Sequence, residues 1–303
     1  MTDKCKLTII PTKNWLIPIS LLSSDTTNKV MLAELIDEGR VVVRISNINK
    51  MLDIYKNIEN IKIKNLLLNQ SRFIVKIFCT FECDEDKISL LNYYEKDKSF
   101  CNANSKPSEK VMIEVMKKMS DTIQYMANKL NTNQTKEIIR YLLFIVLHLF
   151  NEFGFIHNDI HAGNIFIKIH KNEHKIKFNL DKEYILNSKL ELFLGDTEDS
   201  IIYSKPIFNY IKDNDFLFTR HLGKNILQVF SSGILLLKDD LAKEILLEYN
   251  KHINFHDKKF IKQIKEYQKT SDYDLFIRKS LKYGIGLANK LFIILFNESF
   301  IEL

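Results

Sequence analysis

The spacing of hydrophobic and polar positions changes period along the chain. "NKVMLAEL" and "GRVVVRIS", either side of the turn "DEG" at 37–39, are strand-length runs, and residues 28–46 therefore predict an antiparallel hairpin. In "NINKMLDIYKNIENIKIKNLLL" (47–68), Met51, Ile54, Ile58, Ile61 and Leu66 recur close to helical spacing. "RFIVKIFCTFE" (72–82) and "KISLLNYYE" (87–95) read as two further strands joined by the acidic turn "CDED". The polar connector "CNANSKPSEK" (101–110) leads into two long helical patterns, 109–130 and 135–153. Residues 165–196 return to short strands, and the chain after about residue 218 is helical in pattern. The expectation is an α+β chain: a small β-rich lobe with one main helix (1–96) and a larger, mostly helical lobe (97–303).

Composition narrows the class. A chain of 303 residues with 46% hydrophobic content can fill a sizeable core, and 8 Gly and 4 Pro exclude a collagen-like or linker protein. The net charge of +6 is spread over interspersed Lys and Asp/Glu, a solvated surface rather than a binding stripe. No basic stripe interleaved with aromatics appears, which argues against nucleic acid as a partner. Cys5, Cys79, Cys83 and Cys101 are too few for a disulfide scaffold, and reduced thiols are expected. The longest apolar runs, "YLLFIVLHLF" and "LFIILF", are too short to span a bilayer, and the first residues lack a signal peptide. A soluble intracellular monomer is the expectation.

The stretch "GFIHNDIHAGNIFIKI" (154–169) breaks this apolar patterning. Its polar skeleton is H-x-D-x-x-x-x-N followed by a strand. The ordinary alternative is a turn capped by Asp159 and Asn164. The skeleton resembles the catalytic loop of the protein-kinase-like superfamily. Phosphoryl transfer needs a carboxylate near the attacking hydroxyl and an oxygen ligand for Mg²⁺, and one short loop can present both. His161 stands where most eukaryotic protein kinases have Lys. In that respect "HNDIHAGN" is similar to haspin-type kinases, to aminoglycoside and choline phosphotransferases, and to kinase-like proteins of large DNA viruses. The resemblance implies Asp159 as catalytic base, Asn164 as metal ligand, His157 as structural brace and His161 as a contact to the transferred phosphate. A viral source would place the protein in host cytoplasm or virion.

The remaining parts match less closely. No D-F-G occurs; for the second metal ligand that the resemblance implies, Asp196 in "LELFLGDTED" is expected in preference to Asp181 in "KFNLDKEY". Where the family has a glycine-rich loop, this chain has Ser23, Asp25 and Asn28, turn-compatible residues that lack the freedom of glycine. Arg44 replaces the phosphate-pairing Lys, with different reach and geometry, and its alternative is a surface strand arginine. Glu59, chosen over Asp53, is the carboxylate expected behind it. Val42 and Leu91 would wall the adenine pocket, or simply pack a core, and residues 92–95 would form the hinge. The A-P-E ending is absent; "SIIYSKPIFNYIKDNDF" offers only Pro206, and Asp213 or Asp215 is a candidate brace beneath the loop.

The resemblance implies a bilobal kinase-like fold that uses ATP and Mg²⁺ to phosphorylate Ser/Thr hydroxyls of a protein substrate. A pseudokinase-type binding protein and a small-molecule phosphotransferase are the alternatives.

Overall fold

The computed structural model describes residues 16–24, 28–35, 38–47, 58–82, 111–180, 182–212, 215–234, 236, 240–241, 243–244, 247 and 284–297. These residues form a mixed α+β protein, and the chain divides into two compact units, Met1–Met119 and Ser120–Leu303.

The first unit is built on one antiparallel sheet. Its strands are β1 (Leu16–Ser24), β2 (Asn28–Leu35), β3 (Gly39–Asn47), β4 (Ile77–Glu82) and β5 (Val111–Lys117), in the order β1-β2-β3-β5-β4. The expected hairpin is present, from Asn28↔Ser46 to Leu35↔Gly39, with Gly39 at φ 77° in its turn. Alternation on the two strands sends Met31, Ala33, Leu35, Val41, Val43 and Ile45 to one buried face, joined there by Ile113 and Val115 of β5. The helix α1 (Ile58–Leu68) buries Ile61 and Leu68 and donates from Asn65 to β4 and β5.

Two expectations change in this unit. The helical reading of 109–130 is wrong over Val111–Lys117, which pairs as a strand with both β3 and β4. Met112, Ile113, Glu114 and Val115 are all buried. A strand covered on both faces shows no polar alternation, and periodicity alone then confuses it with a buried helix. Because β5 completes this sheet, the division between units falls after Met119 rather than after residue 96. The expected strand 87–95, the hinge 92–95 and Leu91 lie outside the described residues.

The second unit opens with β6 (Asp121–Thr122) and a single turn, α2 (Ile123–Met126). Helix α3 (Thr132–Phe153) follows. Asn131 and Gln134 cap it reciprocally, and Gly154, at φ 61°, stops it in the left-handed conformation. A Cβ at Gly154 would meet the Tyr203 carbonyl oxygen at 3.1 Å, so both torsion and space call for glycine. Strand β7 (Phe155–Ile156) pairs with β10 (Ile201–Ile202), while β8 (Ile165–Asn179) and β9 (Glu183–Leu194) form one long hairpin. Three further helices are α4 (Lys205–Lys212), α5 (Asp215–Ile234) and α6 (Gly284–Phe296). Helix α3 packs on α5, where Gly233 leaves no room for a side chain against Ile139, and α5 packs on α6. No described helix is long and apolar enough to cross a membrane.

Candidate active site

The loop 157–164 is suspended between three supports, and each follows from the local sequence. On its N-terminal side, Gly154 ends α3 and β7 is zipped to β10. On its C-terminal side, Asn164 enters β8, whose first residue Ile165 pairs with Leu194 at the end of β9. That register brings Gly195 beside the loop: its N–H donates to the Asn164 carbonyl at 2.9 Å. Beneath the loop, α5 presents a polar stripe. Asn225 Oδ1 accepts from the backbone N–H groups of His157 (3.0 Å) and Asn158 (3.3 Å). Gln228 Nε2 donates to the Asn158 carbonyl at 2.7 Å, and Ser232 Oγ donates to that of Ile160 at 3.2 Å.

His157 is the internal brace. It is 1% exposed, and Nε2 donates to the Gly195 carbonyl at 2.8 Å. A carbonyl only accepts, so the proton sits on Nε2, leaving Nδ1 to accept from the Asp159 N–H at 3.4 Å. Burial holds its pKa below the ordinary imidazole value, with the Gly195 hydrogen bond and nearby carboxylates opposing the shift.

Asp159 and Asn164 face each other. Asn164 Nδ2 donates to both the Asp159 carbonyl oxygen and Asp159 Oδ2, each at 3.0 Å. These two acceptors fix the amide orientation, so Oδ1 of Asn164 faces away from Asp159 with a lone pair to offer. His161 Nε2 stands 3.5 Å from Asp159 Oδ2, and its Nδ1 accepts from the Gly163 N–H at 3.1 Å. The imidazole holds the Asp159 carboxyl below the usual range against the opposing effect of burial. The same pairing raises His161. The carboxylate is therefore ionised at neutral pH and about half exposed, at 45%.

Asp196 joins this group. It follows the doubly tethered Gly195, is exposed, and adopts φ 51°. Its charge acts on both His157 and His161. Asn158, at φ 67°, is a second left-handed residue in the same loop pair, and such backbone conformations concentrate at functional sites. Asp181 lies outside the described residues, and its neighbours Asn179 and Leu180 are tied by hydrogen bonds to His148 and Asn151 of α3.

The donor chemistry fits a hard cation. Asn164 Oδ1 and the Asp196 carboxylate are oxygen ligands of the kind Mg²⁺ takes. Among the described residues, no three His, Cys, Asp or Glu side chains form a self-contained metal cage. A cation here would take its remaining ligands from phosphate and water oxygens, as Mg²⁺ characteristically does.

The described residues expected to grip the nucleotide lie on β1, β2, β3 and α1 of the first unit. Arg44 is buried, at 5% exposure, and belongs to a cross-strand row with Val30, Glu114 and Thr80. Its Nε donates to Ser46 Oγ at 3.1 Å and lies 3.8 Å from Glu114 Oε2. Asn65 Nδ2 closes the cluster, at 2.7 Å from Glu114 Oε1 and 2.8 Å from Thr80 Oγ1. Among the described residues, the neighbouring strand thus brings a carboxylate, Glu114, to Arg44. Glu59 stands exposed in the first turn of α1, 2.8 Å from Lys62 Nζ. Val42 is half-buried on β3, Ser23 is exposed on β1, and Asn28 begins β2 opposite Ser46.

Sequence reading missed the α5 stripe and Glu114. Asn225, Gln228 and Ser232 recur at helical spacing within the otherwise apolar "NILQVFSSGI", a signal available beforehand. Glu114 is a lone acid inside "VMIEV", and the helical reading concealed that it stands level with Arg44. Of the earlier brace candidates, Asp213 lies outside the described residues and Asp215 opens α5; Asn225 holds the loop. No protein-family model matches the chain and no curated protein matches it, so the chemistry of the site is read from its own residues.

Proposed function

We propose that the chain has a bilobal protein-kinase-like fold and transfers the γ-phosphoryl group of ATP to a Ser or Thr hydroxyl of a protein. The observation that carries this reading is the Asp159–Asn164 pair, joined at 3.0 Å and tied through the Asn164 carbonyl to the segment bearing Asp196. Asp159, ionised at neutral pH, orients the acceptor hydroxyl and accepts its proton. Asn164 Oδ1 and Asp196 would hold Mg²⁺, which when bound neutralises phosphate charge. His161 supplies positive charge beside Asp159 while protonated. The loop itself is held by α5 and Gly195, and catalysis of this class consists mainly of such positioning and electrostatics.

A second reading, a catalytically weak pseudokinase-type binding protein, is favoured by Arg44. Its Nε donates to Ser46 and lies 3.8 Å from Glu114, so part of its hydrogen-bonding capacity is used within the sheet. Incubation with γ-labelled ATP and Mg²⁺, offering generic proteins and aminoglycoside or choline acceptors, separates the readings. Label in protein Ser/Thr supports the proposal. Label confined to the small acceptor makes the chain a small-molecule phosphotransferase, and no label anywhere favours the binding protein.

A further inference from the structure

The stripe on α5 carries one charged member, Lys224. Its neighbours Asn225, Gln228 and Ser232 hold the backbone of residues 157–160. Lys224 Nζ lies 3.5 Å from Asn158 Oδ1, the side chain immediately before Asp159. Asn158 is itself pinned, with Nδ2 donating to the Asp199 carbonyl at 3.0 Å. A lysine on a helix surface ordinarily extends its ammonium into water. This one is half-buried, turned under the loop, and the charged groups facing it among the described residues are the carboxylates of Asp159 and Asp199. Burial lowers its pKa from 10.5 to about 8, against the pull of those two carboxylates.

The charge balance gives this placement a consequence. Asp159, Asp196 and Asp199 are gathered around the loop, and the proposed reaction adds a polyanionic nucleotide. His161 pairs with Asp159 from the exposed side of the loop, and the half-buried Lys224 ammonium supplies a second positive charge close to Asp159 from beneath it. We propose that Lys224 is a positioning residue for phosphoryl transfer: its ammonium anchors Asn158 and offsets the charge of Asp159, keeping that carboxylate aimed. The inference rests on the proposed function, because its kinetic effect presupposes transfer. Loss of the proton from Lys224 leaves the site more negative as the nucleotide phosphates approach, so the rate falls as pH rises through the Lys224 transition.

Two measurements on the full chain test it. The first is the pH dependence of kcat and KM for wild type, Lys224→Met and Lys224→Arg. Lys224→Met should lose kcat by on the order of ten- to a hundred-fold, the scale of a small misplacement, with little change in KM for ATP. Lys224→Arg should retain most activity while its alkaline limb moves beyond about pH 10, because arginine stays charged. An unchanged kcat in Lys224→Met, or an alkaline limb that stays put in Lys224→Arg, overturns the proposal. The second measurement needs no transfer activity: competitive acetylation of the Lys224 amine across pH, in wild type and Asp159→Asn. Titration near 8 in wild type and lower in Asp159→Asn supports the coupling. Titration at the ordinary 10.5, or at one value in both proteins, overturns it. If wild type transfers nothing, the transfer reading falls, and the acetylation result still decides whether Lys224 is coupled to Asp159.

Discussion

His157 shows how one buried side chain couples stability to pH. Both ring nitrogens are occupied in the neutral form, Nε2 toward Gly195 and Nδ1 toward the Asp159 N–H. A second proton would confront that N–H donor inside a buried site. The folded pKa is depressed below 6.5, so the unfolded chain binds more protons once pH drops beneath that value. The contribution of His157 is fully present above 6.5 and is lost as pH falls from there toward the folded pKa. His161 has the opposite sign, since its raised pKa stabilises at low pH and the benefit fades as pH rises. His161 is 47% exposed, however, and solvent screens its pairing, so the buried histidine should dominate. Thermal unfolding midpoints should therefore fall on acidification below 6.5. His157→Gln should cost about 1–3 kcal/mol of stability at neutral pH, with a lower midpoint, and flatten the acid dependence. An equally steep acid dependence in His157→Gln would remove His157 as its source.

At the scale of elements, the buried row across β3, β5 and β4 separates two assignments of the Arg44 partner. Glu114→Ala removes a buried carboxylate that faces the buried Arg44 guanidinium and accepts from Asn65, which should cost about 3–5 kcal/mol in denaturant unfolding. Glu59→Ala alters a solvated first-turn carboxylate and should stay within about 0.5 kcal/mol. Comparable losses in the two variants would return Glu59 to the role. The difference between these acids also marks what sequence can reveal about elements. The β2–β3 hairpin was readable because Met31, Ala33 and Leu35 alternate with less buried neighbours around a glycine turn. Strand β5 was not, because both its faces are covered and Met112, Glu114 and Met116 fill the positions where solvent-facing polar residues would have marked the period. A pairing between strands far apart in sequence leaves no local trace, so Arg44 was visible and Glu114 was not.

For the whole molecule, the second unit was the more readable of the two. Gly154, the spacing from His157 to Asn164 and the apolar run ending at Leu194 are local signals, and the structure brings Asp159, His161, Asn164 and Asp196 into one neighbourhood. What remained hidden was the support from α5, whose Asn225 is sixty-eight positions from His157. The choice of Asp196 makes its own prediction. Mg²⁺-dependent nucleotide binding should drop at least about ten-fold in Asp196→Ala and persist in Asp181→Ala, measured by titration calorimetry with and without the cation. The reverse pattern would move the metal ligand to Asp181. The most direct measurement of the central claim is the rate of phosphoryl transfer from γ-labelled ATP in wild type and Asp159→Asn, with matched unfolding curves for the two proteins. The expected result is Mg²⁺-dependent transfer that falls by roughly 10²–10⁴-fold in Asp159→Asn, the scale of a lost general base. Equal rates in the two proteins, or no transfer by a folded wild type under any acceptor, would contradict it.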